Sequence, residues 1–221
     1  MRVSTATLAT LLLGAASAAP ASPEPVTDGK GFKLPANLED GFYRAYHDES
    51  GREVHERVSG PASAQELAAV SAAVSDATVP DSEPTGVSSI QGSRSRYWCG
   101  CGLSMNHGDC DAAVEDLKFQ SDREYGKPEW ERNHLIAPGT SWYSIRGSVV
   151  AFSCNWYWAY MPIPRRDGYT NVFGYITREC GWYVPGTWVN DDSGSVHVGY
   201  MNYRAGLDFC MDATRSNDES C

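Results

Sequence analysis

The sequence predicts an α+β fold: an antiparallel sheet with two helices on one face (a split β-α-β sandwich), stabilised by disulfides. In the second half of the chain, β-rich runs and amphipathic helical patterns follow the order strand, helix, strand, strand, helix, strand. Every cysteine and every tryptophan of the 221 residues lies at or after position 98. The chain also begins with a secretory pattern, so these cysteines are expected to meet an oxidising environment.

The first residues predict a signal peptide over 1–18. Arg2 precedes an apolar stretch from Ala6 to Ala16, and Ala16-Ser17-Ala18 is a small-residue cleavage site. The stretch is too short for a membrane span, which needs about 20 apolar residues, and nothing else in the sequence comes near that. We therefore expect a secreted, extracellular protein that starts near Ala19 and has no transmembrane segment.

Residues 19–96 form a cysteine-free leader or pro-region. Its first part, 19–36, is rich in Pro, Gly and small polar residues and predicts a mobile segment. Two short β-rich runs, Gly41 to Tyr46 and Arg52 to Val58, flank a turn that contains Gly51, and this pattern predicts a hairpin.

A capping box and a linker complete this region. Ser63 and Glu66 have the capping-box spacing, which predicts a short amphipathic helix over 64–75. Residues 76–96 have linker composition and end in Arg94-Ser-Arg96. Cleavage after Arg96 by a processing protease is one interpretation, and an ordinary basic end of a linker is the other.

Residues 97–221 predict the cysteine-rich α/β domain, which begins with a strand and a helix. Ser95 to Cys99 is compatible with a strand. Asp109 is a candidate N-cap for a helix that continues to Gln120 and carries Ala113 and Leu117 on one face.

The rest of that domain predicts a tight hairpin, a second helix and a final strand. Ser141 to Arg146 and Ser148 to Asn155 flank Gly147. Thr170 is a candidate cap for a helix that ends at Gly181. Ser195 to Tyr203 then alternates in the manner of a strand with two distinct faces.

All seven cysteines are disulfide candidates. They are Cys99, Cys101, Cys110, Cys154, Cys180, Cys210 and Cys221. Seven is odd, so one is left over; Cys221, the last residue, is a candidate for the unpaired cysteine or for the link of a disulfide-bonded dimer. The connectivity stays open, because many pairings are compatible with the sequence.

The spacing of the cysteines argues against a metal site. Cys99, Cys101, His107 and Cys110 place four nitrogen or sulfur donors close together, but a Cys-x-Cys pair does not match the usual spacing of zinc ligands. We therefore predict disulfides, with no metal and no cofactor.

No established catalytic motif is present: the sequence lacks HExxH, G-x-S-x-G, a P-loop and a dinucleotide fingerprint. The best catalytic set combines Glu131, Arg132, His134 and His197, which offer the acid, base and cation of a small secreted ribonuclease. A solvated loop between a helix and a strand explains such residues better, so we assign no catalytic residue and keep a ribonuclease-like hydrolase as the alternative.

An aromatic stripe is the candidate binding site. In an extended chain Trp156, Trp158 and Tyr160 share one face. Flat aromatic rings on one face suit sugar rings or a protein partner, which makes a glycan-binding module a second alternative. The other interpretation is that one face of this stripe belongs to the core.

Several short motifs resemble secreted fungal cysteine-rich proteins. They are Gly108-Asp109-Cys110 at the start of a helix, the strand Val149 to Cys154, the helix end Ile176 to Gly181, and Gly199 to Tyr203. The layout is similar to the necrosis-inducing-factor effectors and the smut-type killer toxins, which are non-enzymatic α/β sandwiches held by disulfides. This resemblance implies a virulence effector or toxin-like protein that acts outside its own cell or on a host cell by binding.

The net charge of the chain limits the classes of partner that we expect. The formal net charge of −10 argues against a nucleic-acid binder, which needs clustered Lys and Arg. It also departs from the killer toxins, which are basic, so no channel-blocking lysine is transferred to this chain. The expected partner is a host protein or a cell-surface glycan.

Overall fold

A seven-stranded antiparallel sheet organises the chain in the structure, a computed structural model. The structure describes residues 31–69, 95–126, 135–157, 159–162, 164–190, 196–212 and 218–221. The strands in these ranges are β1 Gly41–His47, β2 Glu53–Ser59, β3 Arg96–Cys99, β4 Leu135–Ile136, β5 Thr140–Arg146, β6 Val149–Asn155, β7 Met161–Pro162, β8 Gly186–Asn190 and β9 Val196–Asn202. The predicted signal peptide, 1–18, lies outside these ranges.

The sheet has the strand order β2-β1-β5-β6-β9-β8-β3, and β4 and β7 form a separate pair. Helix α1 covers residues 64–69 of the described chain. The two longer helices are α2, His107–Gly126, and α3, Arg166–Cys180. Both α2 and α3 pack on the same face of the sheet. The predicted fold class, an antiparallel sheet with helices on one face and disulfides, is therefore confirmed.

The first hydrophobic core lies between the sheet and these two helices. Because side chains alternate along a strand, one set of strand positions faces the helices. The strand side chains of this core include Phe42, Trp142, Ala151, Trp188, Val198 and Tyr200. The helices contribute Ala113, Leu117, Val172, Phe173 and Ile176 at helical spacing.

A second core covers the opposite face of the sheet and is closed by two irregular segments near the ends of the described chain. Phe32 and Leu34 come from the first segment, and Phe209 comes from the second. Leu34 and Leu207 are joined by a backbone hydrogen bond of 3.0 Å. The prediction of a mobile leader is therefore wrong for residues 31–36, where two apolar side chains spaced two apart are buried despite the surrounding Pro and Gly.

The predicted N-terminal hairpin, β1 and β2, is present and belongs to this same sheet. β1 pairs with β5 along its length, from Gly41 opposite Ile145 to Tyr46 opposite Thr140. A buried polar contact also fastens β2: the His55 side chain lies 2.6 Å from the Tyr143 hydroxyl and 2.6 Å from the Glu53 carboxylate.

The capping box at the start of α1 forms as predicted. The Glu66 backbone N–H donates to the Ser63 hydroxyl at 3.2 Å, and the Ser63 backbone N–H donates to the Glu66 carboxylate at 2.8 Å. The rest of the predicted helix and the linker up to residue 94 lie outside the described residues.

Helix α2 begins two residues before the predicted N-cap, so the assignment of Asp109 as the cap is wrong. The side-chain oxygen of Asn106 accepts the Asp109 backbone N–H at 3.0 Å and caps the helix instead. The Asp109 carboxylate accepts bonds from the backbone and hydroxyl of Ser148, at 2.8 and 2.7 Å. It thereby supports the tight turn at Gly147 between β5 and β6, where φ is +53° and a Cβ would meet this carboxylate at 2.5 Å.

Helix α3 also begins earlier than predicted, at Arg166 rather than after Thr170. The Arg166 guanidinium bonds to two acidic side chains of α2, Asp122 at 3.0 Å and Glu115 at 2.7 Å. The Thr170 hydroxyl donates to the Arg166 carbonyl at 2.8 Å instead of capping the helix. The predicted end is confirmed: Gly181 has φ +99°, and its N–H bonds to the helix carbonyl of Thr177.

Three disulfides form, and the unpaired cysteine is not the candidate Cys221. The pairs are Cys99–Cys180, Cys101–Cys221 and Cys154–Cys210. Cys221 is therefore not the unpaired cysteine, because it pairs with Cys101; a disulfide-linked dimer through the odd cysteine stays a prediction. The free cysteine is Cys110, buried at the start of α2.

We expect mild thiol reduction of the native protein to open Cys101–Cys221 before the other two disulfides. Both cysteines of this pair are exposed, whereas the other pairs are buried, and thiol exchange requires access to the sulfur. Alkylation followed by mass spectrometry should then show labels on residues 101 and 221. Without reductant, denatured protein should take a single label on Cys110; early labelling of Cys154 would contradict the expected order.

The two edge strands differ in how they are protected. β2 presents charged side chains that include Glu56 and Arg57. β3 has four residues, and the N–H of its last residue, Cys99, donates to the Asp218 carbonyl of the C-terminal tail at 2.8 Å. None of the helices in the described part of the chain combines the length and apolar character needed to cross a membrane.

Candidate functional site

A cleft of about 290 Å³ lies between α2 and α3. Its α2 wall is a stripe at helical spacing: Cys110, Val114 and Lys118, with Asp111 and Glu115 beside them. The volume is near the lower end of the range for small-molecule pockets. The cleft can therefore take a small group or one large side chain.

The α3 wall is open because of a glycine. Thr170, Phe173 and Thr177 line this wall, and Gly174 lies between them. A Cβ added at Gly174 would meet nothing within 4 Å. A glycine inside a helix costs about 1 kcal/mol relative to alanine, and the surrounding space gives no packing reason for it. Its effect is to keep the middle of the cleft empty.

The floor of the cleft is aromatic and uncharged. Phe173 stacks on Tyr200 of β9 with ring centroids 5.5 Å apart. The Tyr200 and Thr177 hydroxyls lie 3.1 Å apart and bond to each other. Burial raises the pKa of Tyr200 to about 12, so its hydroxyl stays protonated at physiological pH.

The turn after α3 forms the rim. Trp182 is 78% exposed, the most exposed of the large hydrophobic side chains in the described residues. Tyr183 has a positive φ of 57°, a left-handed conformation that costs energy for a residue other than glycine. It is held by the N–H of Met105, which donates to its carbonyl at 2.8 Å, and by His107, whose ring stacks on it at 3.9 Å.

The charged groups are placed unequally along the cleft. At one end Glu115 bonds to both Lys118, at 2.8 Å, and Arg166, at 2.7 Å. Burial alone would raise the pKa of the Glu115 carboxyl, but these hydrogen bonds hold it below its ordinary value. At the other end the Asp111 carboxylate accepts a bond from the Tyr183 hydroxyl at 3.3 Å and has no cationic partner among the described residues.

Cys110 lies at the bottom of the cleft with a protonated thiol. Burial, with a smaller contribution from Asp111, raises its pKa from 9.0 to about 12. The thiolate is the nucleophilic form of cysteine. Cys110 is therefore an inert wall residue near neutral pH.

We expect the protein to lose stability between about pH 9 and pH 12. The folded chain holds the protons of Cys110 and Tyr200 more tightly than the unfolded chain, since both pKa values rise on folding to about 12. The stability that they contribute is complete below their unfolded pKa values and is lost as the pH rises through the folded ones. Urea midpoints measured across this range test it, and Cys110→Ala should move the onset up to the range of tyrosine. A flat profile up to about pH 11 would contradict the burial of these groups.

Of the predicted catalytic residues, the structure describes only His197. Glu131, Arg132 and His134 lie outside the described residues. His197 is buried on the opposite face of the sheet, where its Nδ1–H donates to the Cys210 carbonyl at 2.7 Å.

Trp156 and Tyr160 of the predicted aromatic stripe lie in different environments. Trp156 is half-buried and stacks on Phe32 of the second core at 5.4 Å. Tyr160 is 63% exposed, and Trp158 lies outside the described residues. Arg96, the predicted processing site, is exposed and is the first residue of β3, paired with Val189 of β8.

Trp182 and Gly174 were missed by the sequence reasoning. The signal for Trp182 is its position directly after Gly181, because a helix that stops at a glycine presents the next side chain at a turn. The signal for Gly174 is a glycine in the middle of an amphipathic helix. Neither signal indicates a site by itself, because the sequence does not show that α2 and α3 lie side by side.

Comparisons of this chain with protein-family models, with curated proteins and with solved structures find no match.

Proposed function

We propose that the protein is a secreted effector-like or toxin-like protein that acts outside its cell, or on a host cell, by binding, and that the α2–α3 cleft is its binding site. One observation carries the location of the site. Trp182 is 78% exposed at the rim of an open cleft with an aromatic floor. Exposed aromatic anchors beside an apolar pocket are typical of recognition surfaces, where a few such residues dominate the affinity.

The chemistry of the cleft favours binding over catalysis. Two buried groups that line it, Cys110 and Tyr200, keep their protons at neutral pH because burial raises both pKa values. The Glu115 carboxylate is occupied by two cations. These groups suit a surface that holds a ligand, since general acid-base catalysis needs a pKa near the working pH.

The disulfides of the fold support secretion. Three disulfides, two of them buried, are stable in oxidising compartments and rare elsewhere. The resemblance of the cysteine motifs to fungal effectors and killer toxins points in the same direction, as does the predicted signal peptide over 1–18.

The test uses the oxidised chain from residue 19, infiltrated into candidate host tissue beside a reduced and alkylated sample. We expect cell death or an immune response from the oxidised protein alone. Trp182→Ala should abolish it, and Val58→Ala, which changes an exposed apolar side chain on β2, should not. No response from the oxidised protein, or an equal response from Trp182→Ala, would overturn the proposal.

Two parallel assays separate the alternatives. Cleavage of RNA by the same preparation would favour a ribonuclease over a binding protein. Retention on cell-wall glycan that depends on Tyr160 but not on Trp182 would move the site to the predicted aromatic stripe. The Tyr160→Ala variant therefore belongs in the glycan assay.

A further inference from the structure

We propose that the ligand of the α2–α3 cleft is a segment of a partner protein that presents one apolar side chain next to a lysine or arginine. This inference rests on the proposed function and names the chemistry of the partner at the same site. It is carried by three features: an anionic group at one end, an apolar middle, and a lack of free polar groups on the floor.

The anionic end fits a cation. The exposed Asp111 carboxylate has no cationic partner among the described residues, in contrast to Glu115, which has two. Trp182 lies on the same rim with its indole in solvent. An ammonium or guanidinium group beside a carboxylate and an indole gains an ion pair and a cation–π contact. The cation is therefore expected at the Asp111 end.

The middle of the cleft fits an apolar side chain. Val114 and Phe173 lie on the two walls, and Gly174 leaves the space between them empty. From Asp111 to Lys118 the α2 wall is about 10 Å long at the rise of an α-helix. That length matches about three residues of an extended peptide. One cationic and one apolar side chain of such a segment can thus occupy the cleft together.

The floor is poorly suited to a sugar. A glycan is held by several hydrogen bonds from free polar groups, but the hydroxyls of Thr177 and Tyr200 bond to each other and that of Thr170 bonds to a helix carbonyl. The charge of the whole chain, −10, also favours encounter with cationic partners.

The open glycine provides a variant that blocks the cleft and retains the fold. Gly174→Leu places its Cβ in open space, with no contact from another element within 4 Å, and no positive φ stands in the way. It also replaces a glycine inside a helix, which should not lower stability. Asp111→Asn removes the charge and keeps the shape. Val58→Ala is the control away from the cleft.

The experiment titrates the isotope-labelled full chain with acetyl-Lys-Leu-Phe-amide, followed by amide chemical shifts in NMR spectra. The matched probes are the peptide with glutamate in place of lysine and a trimer of N-acetylglucosamine. We expect the lysine peptide to shift amides of α2 and α3 that line the cleft, with Kd in the millimolar range, about −4 kcal/mol. Binding of the glutamate peptide should be at least about fivefold weaker, since its charge repels Asp111.

The variants sharpen this result. Asp111→Asn should lower the affinity for the lysine peptide about threefold to tenfold. It should also remove most of the salt dependence of binding, because the lost contact is electrostatic. Gly174→Leu should abolish the shifts, and Val58→Ala should leave them unchanged. Equal binding of both peptides, binding of the sugar alone, or no shifts at about 10 mM peptide, well above the expected Kd, would overturn the inference.

Infiltration of the same variants separates this inference from the proposed function. If Gly174→Leu and Trp182→Ala lose the host response while the lysine peptide does not bind, the cleft is functional and its ligand has another chemistry. If the lysine peptide binds in the cleft while both variants still act on host tissue, the ligand chemistry is correct and the cleft is not the site of the host response.

Discussion

A fragment of residues 97–221, which contains every cysteine and was predicted to be the stable domain, is expected not to fold by itself. The structure places β1 between β2 and β5, so removing residues before 97 exposes the whole length of β5 as an edge. A strand edge that is exposed together with apolar side chains is prone to pair with another chain. We therefore expect aggregated or molten material rather than a smaller native protein.

The size of the effect follows from the side chains that would be lost. Phe32 and Leu34 are buried in the second core, and Phe42 and Tyr43 stack on Trp142 and Tyr143 of β5. Burying one large apolar side chain contributes about 1.5–3 kcal/mol. The four together contribute on the order of 10 kcal/mol, which is comparable with the stability of a whole domain.

The test compares the fragment with chains that start at residues 19 and 31, all oxidised. Near-UV circular dichroism, size-exclusion chromatography and urea unfolding should show a cooperative native state for both longer chains only. A synthetic peptide of residues 31–69 added during refolding should recover part of the native signal. A fragment that unfolds cooperatively without the peptide would contradict the expectation.

Phe209→Ala is expected to destabilise the fold by about 3–5 kcal/mol, the range for a large aromatic residue removed from a core. Phe209 is fully buried in the second core. Its ring lies 4.9 Å from that of Tyr143 and 5.3 Å from that of Phe152, with Phe32 at 6.3 Å. The substitution therefore leaves a cavity between the sheet and both covering segments.

Urea midpoints of the variant and the parent chain measure this loss. Phe209→Leu keeps part of the volume and should cost less than Phe209→Ala. Val58→Ala, at a half-exposed position of β2, should change the free energy of unfolding by no more than about 0.5 kcal/mol. A difference of that small size for Phe209→Ala would mean that the covering segments are not firmly packed.

The turns, the end of α3 and the alternation of β9 could be predicted, because each depends only on residues that are close in the sequence. The turns at Gly51 and Gly147 and the end of α3 at Gly181 require positive φ, which glycine permits. The alternation of β9 is also visible in the sequence, with Val198 and Tyr200 in the first core and Met201 in the second.

The long-range arrangement could not be predicted in the same way. The pairing of β1 with β5 joins positions that are about 100 residues apart in the sequence. No local sequence pattern identifies a pairing partner at that distance. β8 could not be predicted from alternation, because its first four residues, Gly186 to Val189, are all buried. The disulfide pairing likewise depends on which chain ends meet in space.

The candidate site was missed for a related reason. The exposed Trp182 and the empty space at Gly174 arise only when α2 and α3 lie side by side on one sheet face. The densest aromatic run in the sequence predicts a binding site at Trp156, but this ring stacks on the second core. Aromatic density predicts burial as readily as binding.

The protection of the two sheet edges has a consequence for self-association of the protein. Unpaired strand edges are templates for strand addition and amyloid growth, and charges, short length or a covering segment prevent it. β2 carries the charges, and the short β3 is covered at Cys99 by a tail that the Cys101–Cys221 disulfide holds in place. Opening that one exposed bond would uncover a strand edge, so the same disulfide also protects the protein against self-association.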